Sequence, residues 1–175
     1  DADPCAPAPV SARLAGVVIK SLGVYAMCRV FFNMFGFSPA VPSSVIIANS
    51  MIGFALASII VGGLLAIGQW DYKRLLAYSS IGQVGYIVLG IGVGARVLAT
   101  GGPTPVAALA ILGGLFHLIN HTAFKSLLFL SSGAIQYATG TRDMKQLGGL
   151  KQRMPVTSTT TTLGALSIAG VPPFS

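Results

Sequence analysis

Residues 42–69 read PSSVIIANSMIGFALASIIVGGLLAIGQ, 28 positions without a single charge. A helix needs about 20 predominantly apolar residues to cross the roughly 30 Å hydrocarbon core of a bilayer. This run exceeds that length, and the stretches on either side repeat its pattern. Ahead of it, about Val10 to Phe35 is apolar apart from Arg13, Lys20 and Arg29. Behind it, about Leu75 to Leu98 is rich in glycine, with Gly82, Gly85, Gly90, Gly92 and Gly94. The next stretch, about Pro105 to Tyr137, carries His117, His121 and Lys125. The last begins near Val156, is rich in threonine and runs to Gly170-Val171-Pro172-Pro173. Proline cannot continue a helix interior without losing a hydrogen bond. The last helix therefore stops after about 15 residues, roughly 22 Å, which is short of the hydrocarbon core. It is either truncated in mid-span or discontinuous. A broken helix at membrane depth is tolerated only where protein or a water-filled cavity covers it. The expected architecture is all-α: a polytopic membrane helix bundle of about five transmembrane segments, the last one broken or truncated. It is expected to form a single membrane domain over residues 1–175.

Composition agrees with a bilayer as solvent. The chain is 53% hydrophobic and only 9% charged, against roughly 25% charged residues in soluble domains. Its formal charge is +7. A nucleic-acid binder would cluster such charge in a stripe among polar residues, whereas here most basic residues fall in short gaps between apolar runs. Nucleic acid is therefore not an expected partner. The four acidic residues are Asp1, Asp3, Asp71 and Asp143, and no pair of them is placed for acid–base catalysis. Cys5 and Cys28 make no framework and read as plain thiols. No secretory signal is visible in DADPCAPAPVS. The chain opens without methionine and stops just after Pro-Pro, so it reads as a piece of a larger membrane protein.

The loops set an orientation. Lys73 and Arg74 follow the second apolar run, and Arg142, Lys145, Lys151 and Arg153 follow the fourth. These six lie on one side together with the N-terminal loop, while the opposite side has Arg29 and Arg96. The positive-inside rule places the basic loops in the cytoplasm or its organellar equivalent. The protein is thus expected to be integral and multi-pass, in a prokaryotic plasma membrane or an organellar inner membrane.

Four ionisable residues lie inside apolar runs. Lys20 sits about ten residues into the first, near mid-bilayer, where a charge costs roughly 2.5–3.5 kcal/mol on insertion scales. Snorkelling is the alternative, but it works best near helix ends. His117, His121 and Lys125 are spaced i, i+4, i+8, so they share one helical stripe. Such a row can form a hydrogen-bonded chain, directly or through single waters. Burial disfavours the charged form of lysine and eases release of its proton, and histidine titrates near neutrality. The competing readings are satisfied core histidines beside a tolerated lysine, or a metal pair. The second lacks a third ligand and the glutamate of H-E-x-x-H. The glycines read as close-packing positions between membrane helices. The hydroxyls of Thr157 to Thr162 read as bonding back to the preceding turn, with a wet passage as the alternative.

Several of these stretches resemble one family. Pro7-Ala8-Pro9-Val10-Ser11 and the run to Lys20 resemble the segment after the first broken helix in antiporter-like subunits of respiratory complex I. Asp71-Tyr72-Lys73-Arg74-Leu75-Leu76-Ala77-Tyr78-Ser79-Ser80-Ile81-Gly82-Gln83 is similar to a loop-to-helix signature of that family. Phe116-His117 through His121 to Lys125-Ser126-Leu127-Leu128-Phe129 resembles its central-axis helix. Asp143 to Leu150, Met154-Pro155 and Gly170-Val171-Pro172-Pro173-Phe174 are similar to its next loop and second broken helix. The superfamily also includes multisubunit cation/proton antiporters and membrane-bound hydrogenases, and the likeness covers essentially the whole chain. The resemblance implies that Lys20 is the mid-membrane lysine of the family's eighth helix. It implies that Lys125 links two half-channels, with His117 and His121 beside it. It also places the first broken helix, with its lysine and partner glutamate, ahead of Asp1, and a further lysine after Ser175. Arg13 departs from the apolar residue usual in the family.

The function expected from residues and resemblance together is proton or cation/proton translocation along an axis of Lys20, His117, His121 and Lys125. The chain would serve a redox-driven complex such as NADH:quinone oxidoreductase or a related hydrogenase. The alternative is a subunit of a secondary cation/proton antiporter without a redox partner. A purely structural scaffold must explain two mid-membrane lysines and an aligned histidine pair. No cofactor or metal is expected in the chain, which lacks a cysteine ligand set for iron–sulfur clusters and a dinucleotide fingerprint. The expected partners are other membrane subunits, the lipid bilayer and protons, with sodium or potassium as further candidate ions.

Overall fold

A computed structural model describes residues 7–172; Cys5 and the Pro173-Phe174 end of the broken-helix motif lie outside them. The described residues are helical with no strand, and five helical stretches succeed one another. The first is helical from residue 8 to residue 35: α1 Ala8–Ser11, a π-helical run Ala12–Val18, α2 Ile19–Cys28 and a second π-helical run Arg29–Phe35. Then come α3 Ser44–Ile67, α4 Tyr72–Ala99 and α5 Thr104–Thr139. A 3₁₀ turn Met144–Gln146 and a single turn α6 Leu150–Arg153 lead to α7 Pro155–Ile168.

Three helices, α3, α4 and α5, are long and apolar enough by themselves to cross a membrane. The first stretch also has the length, but π-helical geometry interrupts it on both sides of α2. The last, α7, has 14 residues, about 21 Å. It closes at Gly170, whose φ of 73° is left-handed and favours glycine. Large apolar side chains point outward, among them Ile67, Phe54, Met34 and Leu109. In water such faces would drive association; in a bilayer they meet lipid tails.

The chain divides into two compact units. One comprises residues 20–63 and 80–119. Its core holds Val24, Met51, Ile87 and Ile91, with Met27, Phe31, Phe32 and Leu118 against them. The glycines of α4 work here as close-packing positions. A Cβ on Gly85 would stand 2.8 Å from the Ala55 carbonyl oxygen of α3, and one on Gly94 would stand 2.8 Å from the Ala107 carbonyl oxygen of α5. Backbones this near leave no room for a methyl group, so glycine is what lets α4 meet α3 on one side and α5 on the other.

The other unit comprises the described residues up to Ile19, residues 64–79 and those from Asn120 onward. Ala12, Leu76, Phe124, Leu128 and Phe129 form its core, flanked by Tyr72, Leu75 and Ile168. Helix α7 joins at Gly164, where a Cβ would stand 2.9 Å from Leu128. The threonine hydroxyls bond back as expected: Thr161 Oγ1 donates to the Thr157 carbonyl at 2.7 Å and Thr162 Oγ1 to that of Ser158 at 2.9 Å. The two basic loops are tied to each other. Asp71 and Asp143 form an antiparallel bridge, in which the Tyr72 amide donates to the Arg142 carbonyl at 3.1 Å and the Met144 amide to that of Trp70 at 2.9 Å. Arg142 Nε lies 3.5 Å from Asp71 Oδ2, and Lys145 Nζ sits 4.5 Å over the Trp70 ring. The loops of residues 71–74 and 142–146 therefore lie on one side, the arrangement read from their charges. Asp71 also accepts from the Arg74 amide at 3.1 Å, capping α4.

Candidate proton-relay site

Lys125 is fully buried on α5. Its Nζ donates to the Leu76 carbonyl at 3.0 Å and to Ser79 Oγ at 2.6 Å. Both acceptors belong to α4 and both are neutral. Ser79 Oγ in turn donates to the Leu76 carbonyl at 3.1 Å. This triangle suits either protonation state of the lysine. With an ammonium, the serine proton points to the carbonyl and the serine lone pairs accept. With a neutral amine, the hydroxyl can rotate and donate to nitrogen. In neither state is the Ser79 hydroxyl or the Leu76 carbonyl left without a bond.

One turn towards the start of α5, His121 is also fully buried, its ring edge-on to Phe124 with centroids 5.3 Å apart. One turn further, His117 is partly exposed. Its Nε2 lies 2.8 Å from Gln83 Oε1, and its ring stands edge-on to Tyr86 at 6.2 Å. The three residues lie on one helix, Thr104–Thr139. Lys20 is the second residue of α2 and is partly buried. Helix α2 follows directly on a seven-residue π-helical run; wide turns of this kind re-aim the side chains after them and recur at functional sites.

The partners of the row were not read from the sequence. Ser79 and Gln83 are four apart on α4, two polar residues on one face of an apolar helix, and that spacing was the available signal. Lys73 is a second surprise. It lies in a loop-to-helix signature beside exposed Arg74, yet only 3% of its surface is accessible. Cys28 is a free thiol. Among the described residues, no three His, Cys, Asp or Glu side chains converge where they could hold a metal ion.

Three helices long and apolar enough to cross a membrane, packed with a fully buried lysine, define an integral membrane helix bundle. The chain belongs to the NADH:quinone oxidoreductase/Mrp antiporter transmembrane family, whose model matches residues 1–175. Among its relatives, one component of the Na(+)/H(+) antiporter of Alkalihalophilus pseudofirmus is 37% identical over 172 residues, covering 97% of this chain and 20% of that protein. One component of the F(420)H(2) dehydrogenase of Methanosarcina mazei is 40% identical over 164 residues, covering 94% of this chain and 22% of that protein. A polypeptide of the membrane-bound sulfane sulfur reductase, an archaeal respiratory membrane complex, superposes with a TM-score of 0.77 at 30% identity, covering 98% of this chain and 32% of that one. The chain thus spans about a fifth of the length of the two sequence relatives. It is an antiporter-like membrane segment of the Mrp and complex I superfamily.

Proposed function

We propose that this segment carries protons through the membrane interior, with Lys125 as the exchanging group and His117, His121 and Lys20 as its relay partners. The observation that carries this reading is the burial of Lys125 against two neutral acceptors that serve both its protonation states. Lys20 and Lys125 would act on each other through space. Two ammonium groups brought into a low-dielectric interior repel, so protonating one favours releasing the proton of the other. A change of charge or conformation in a neighbouring membrane protein of the complex would drive the row, and the basic loops would face the cytoplasm or its organellar equivalent.

The redox-linked reading places the segment in a complex such as NADH:quinone oxidoreductase or a related hydrogenase. Its support is the likeness to a respiratory complex together with the 40% identity to a dehydrogenase component. The second reading, a secondary cation/proton antiporter, is supported by the 37% identity to an Na(+)/H(+) antiporter component. Co-purification of flavin and iron–sulfur proteins with the full protein selects the first, and a complex of membrane proteins alone selects the second. The carrier role is tested by Lys125→Ala and Lys125→Arg in sealed vesicles. Both are expected to lose transport, since alanine has no proton to exchange and arginine keeps its own. Wild-type rates in both would reduce the row to packing.

A further inference from the structure

A slot of about 140 Å³ opens where the end of α5, the turn α6 and the start of α7 meet. Ile135, Leu150 and Met154 make part of its wall apolar, and the rest is hydroxyl-bearing, from Thr157, Ser158, Thr161 and Thr162. Ile135 lies one turn before the end of α5, and Thr162 lies two turns into α7. The slot therefore sits within roughly 10 Å of both helix ends at 1.5 Å per residue. The hydroxyls on its wall are not alike. Thr159, Thr160, Thr161 and Thr162 all donate back to carbonyls of the preceding turn. Those of Thr157 and Ser158 have no partner among the described residues, so both can donate to a ligand.

Two cations flank the slot. Lys151 follows the wall residue Leu150, Arg153 precedes the wall residue Met154, and both are exposed. Among the described residues the carboxylates are Asp71 and Asp143, and each is engaged elsewhere. Asp71 pairs with Arg142 and caps α4. Asp143 accepts from the Lys145 amide at 3.0 Å and from Gln146 Nε2 at 3.5 Å. Neither Lys151 nor Arg153 has an ion-pair partner among the described residues. The loop just before them carries Lys145 over exposed Trp70, an indole of the kind that settles at a membrane–water interface.

We propose that this slot is a binding site for an anionic phospholipid of the leaflet on the basic-loop side. Arg153 meets the phosphate with its guanidinium fork, and Lys151 adds a point charge. The hydroxyls of Thr157 and Ser158 donate to phosphate or ester oxygens, and the acyl chain starts against Ile135, Leu150 and Met154. An acidic protein would match the two cations but would leave the slot beneath them unfilled. A phospholipid matches the cations, the free hydroxyls and the apolar wall at once. The lipid would hold α6 and the first turns of α7 against the end of α5. This site is independent of the role of Lys125.

The test uses the full protein in its complex, reconstituted in lipid nanodiscs. Cys28 is replaced by serine, and Gln152→Cys, between the two cations, carries a fluorophore in a background without other reactive cysteines. Nitroxide-bearing phosphatidylglycerol or phosphatidylcholine is added as quencher, and the two quenching curves give the preference of the site. Phosphatidylglycerol is expected to be preferred tenfold or more. Lys151→Gln and Arg153→Gln should each lower the preference about fivefold, the worth of about 1 kcal/mol per basic residue near an anionic surface. Lys151→Arg should keep it. Ser158→Leu, which fills the slot, should lower the preference at least threefold with both cations still present. Equal quenching by the two lipids, or a preference indifferent to both charge substitutions, overturns the proposal. A preference unchanged in Ser158→Leu reduces the site to surface charge and overturns the slot. Quenching by neither lipid in the assembled complex means that a protein covers the site, and displacement by inorganic phosphate assigns it to a soluble anion; either result overturns the lipid.

Discussion

Replacing Lys125 by methionine separates its chemistry from its packing. The methionine side chain is unbranched and of nearly the same length, so it fills the same space without a charge. Two terms decide the stability of Lys125→Met. An ammonium in mid-membrane costs roughly 2.5–3.5 kcal/mol, which the substitution recovers. The bonds to the Leu76 carbonyl and Ser79 Oγ each contribute about 1.5–3 kcal/mol as bonds from a charged donor, and these are lost. The loss leaves no orphan, because Ser79 Oγ already donates to the Leu76 carbonyl. The terms partly cancel, and Lys125→Met should lie between parental stability and about 3.5 kcal/mol below it. Proton transport should nevertheless disappear, since a thioether carries no exchangeable proton. The assay pairs thermal unfolding of the assembled complex in lipid nanodiscs with proton flux in sealed vesicles. An assembled Lys125→Met complex that pumps at the parental rate refutes the carrier role. A complex that no longer assembles refutes the cancellation and makes Lys125 a structural residue.

Three further outcomes are expected. His121→Ala should reduce transport less than Lys125→Met, because the space of a fully buried imidazole can admit a bridging water; proton flux in vesicles compares the two. Cysteines at Arg74 and Lys145, both exposed and on the tied loops, should be modified by an impermeant thiol reagent from one side of the membrane only. A cysteine at Lys73 should react far more slowly than either. Gly85→Ala should cost about 1–3 kcal/mol as an overpacked contact, since its Cβ would stand 2.8 Å from both the Ala55 carbonyl oxygen and Ile59. Gly63→Ala, with nothing within 4 Å, should leave the melting temperature of the complex unchanged.

The sequence by itself determined the helices and the side on which the loops lie. An uncharged run such as residues 42–69 has to cross lipid, and the stretch observed, Ser44–Ile67, begins and ends close to the expected points. The spacing of His117, His121 and Lys125 put them in one row because the pitch of a helix is a local property. The grouping of Lys and Arg into two loops was likewise enough to place those loops together. Tertiary structure decided what the row touches. The partners of Lys125 lie 46 and 49 residues away in the chain, and that of His117 lies 34 away. Which face of α4 meets α5 depends on how the two helices are rotated about their axes, and that rotation is set by contacts such as Gly90 against Ala110 and Gly114. No periodicity in either helix reports it. The same holds for Lys73 and Arg74. They are adjacent and chemically alike, and only the tertiary structure buries one and leaves the other in the open.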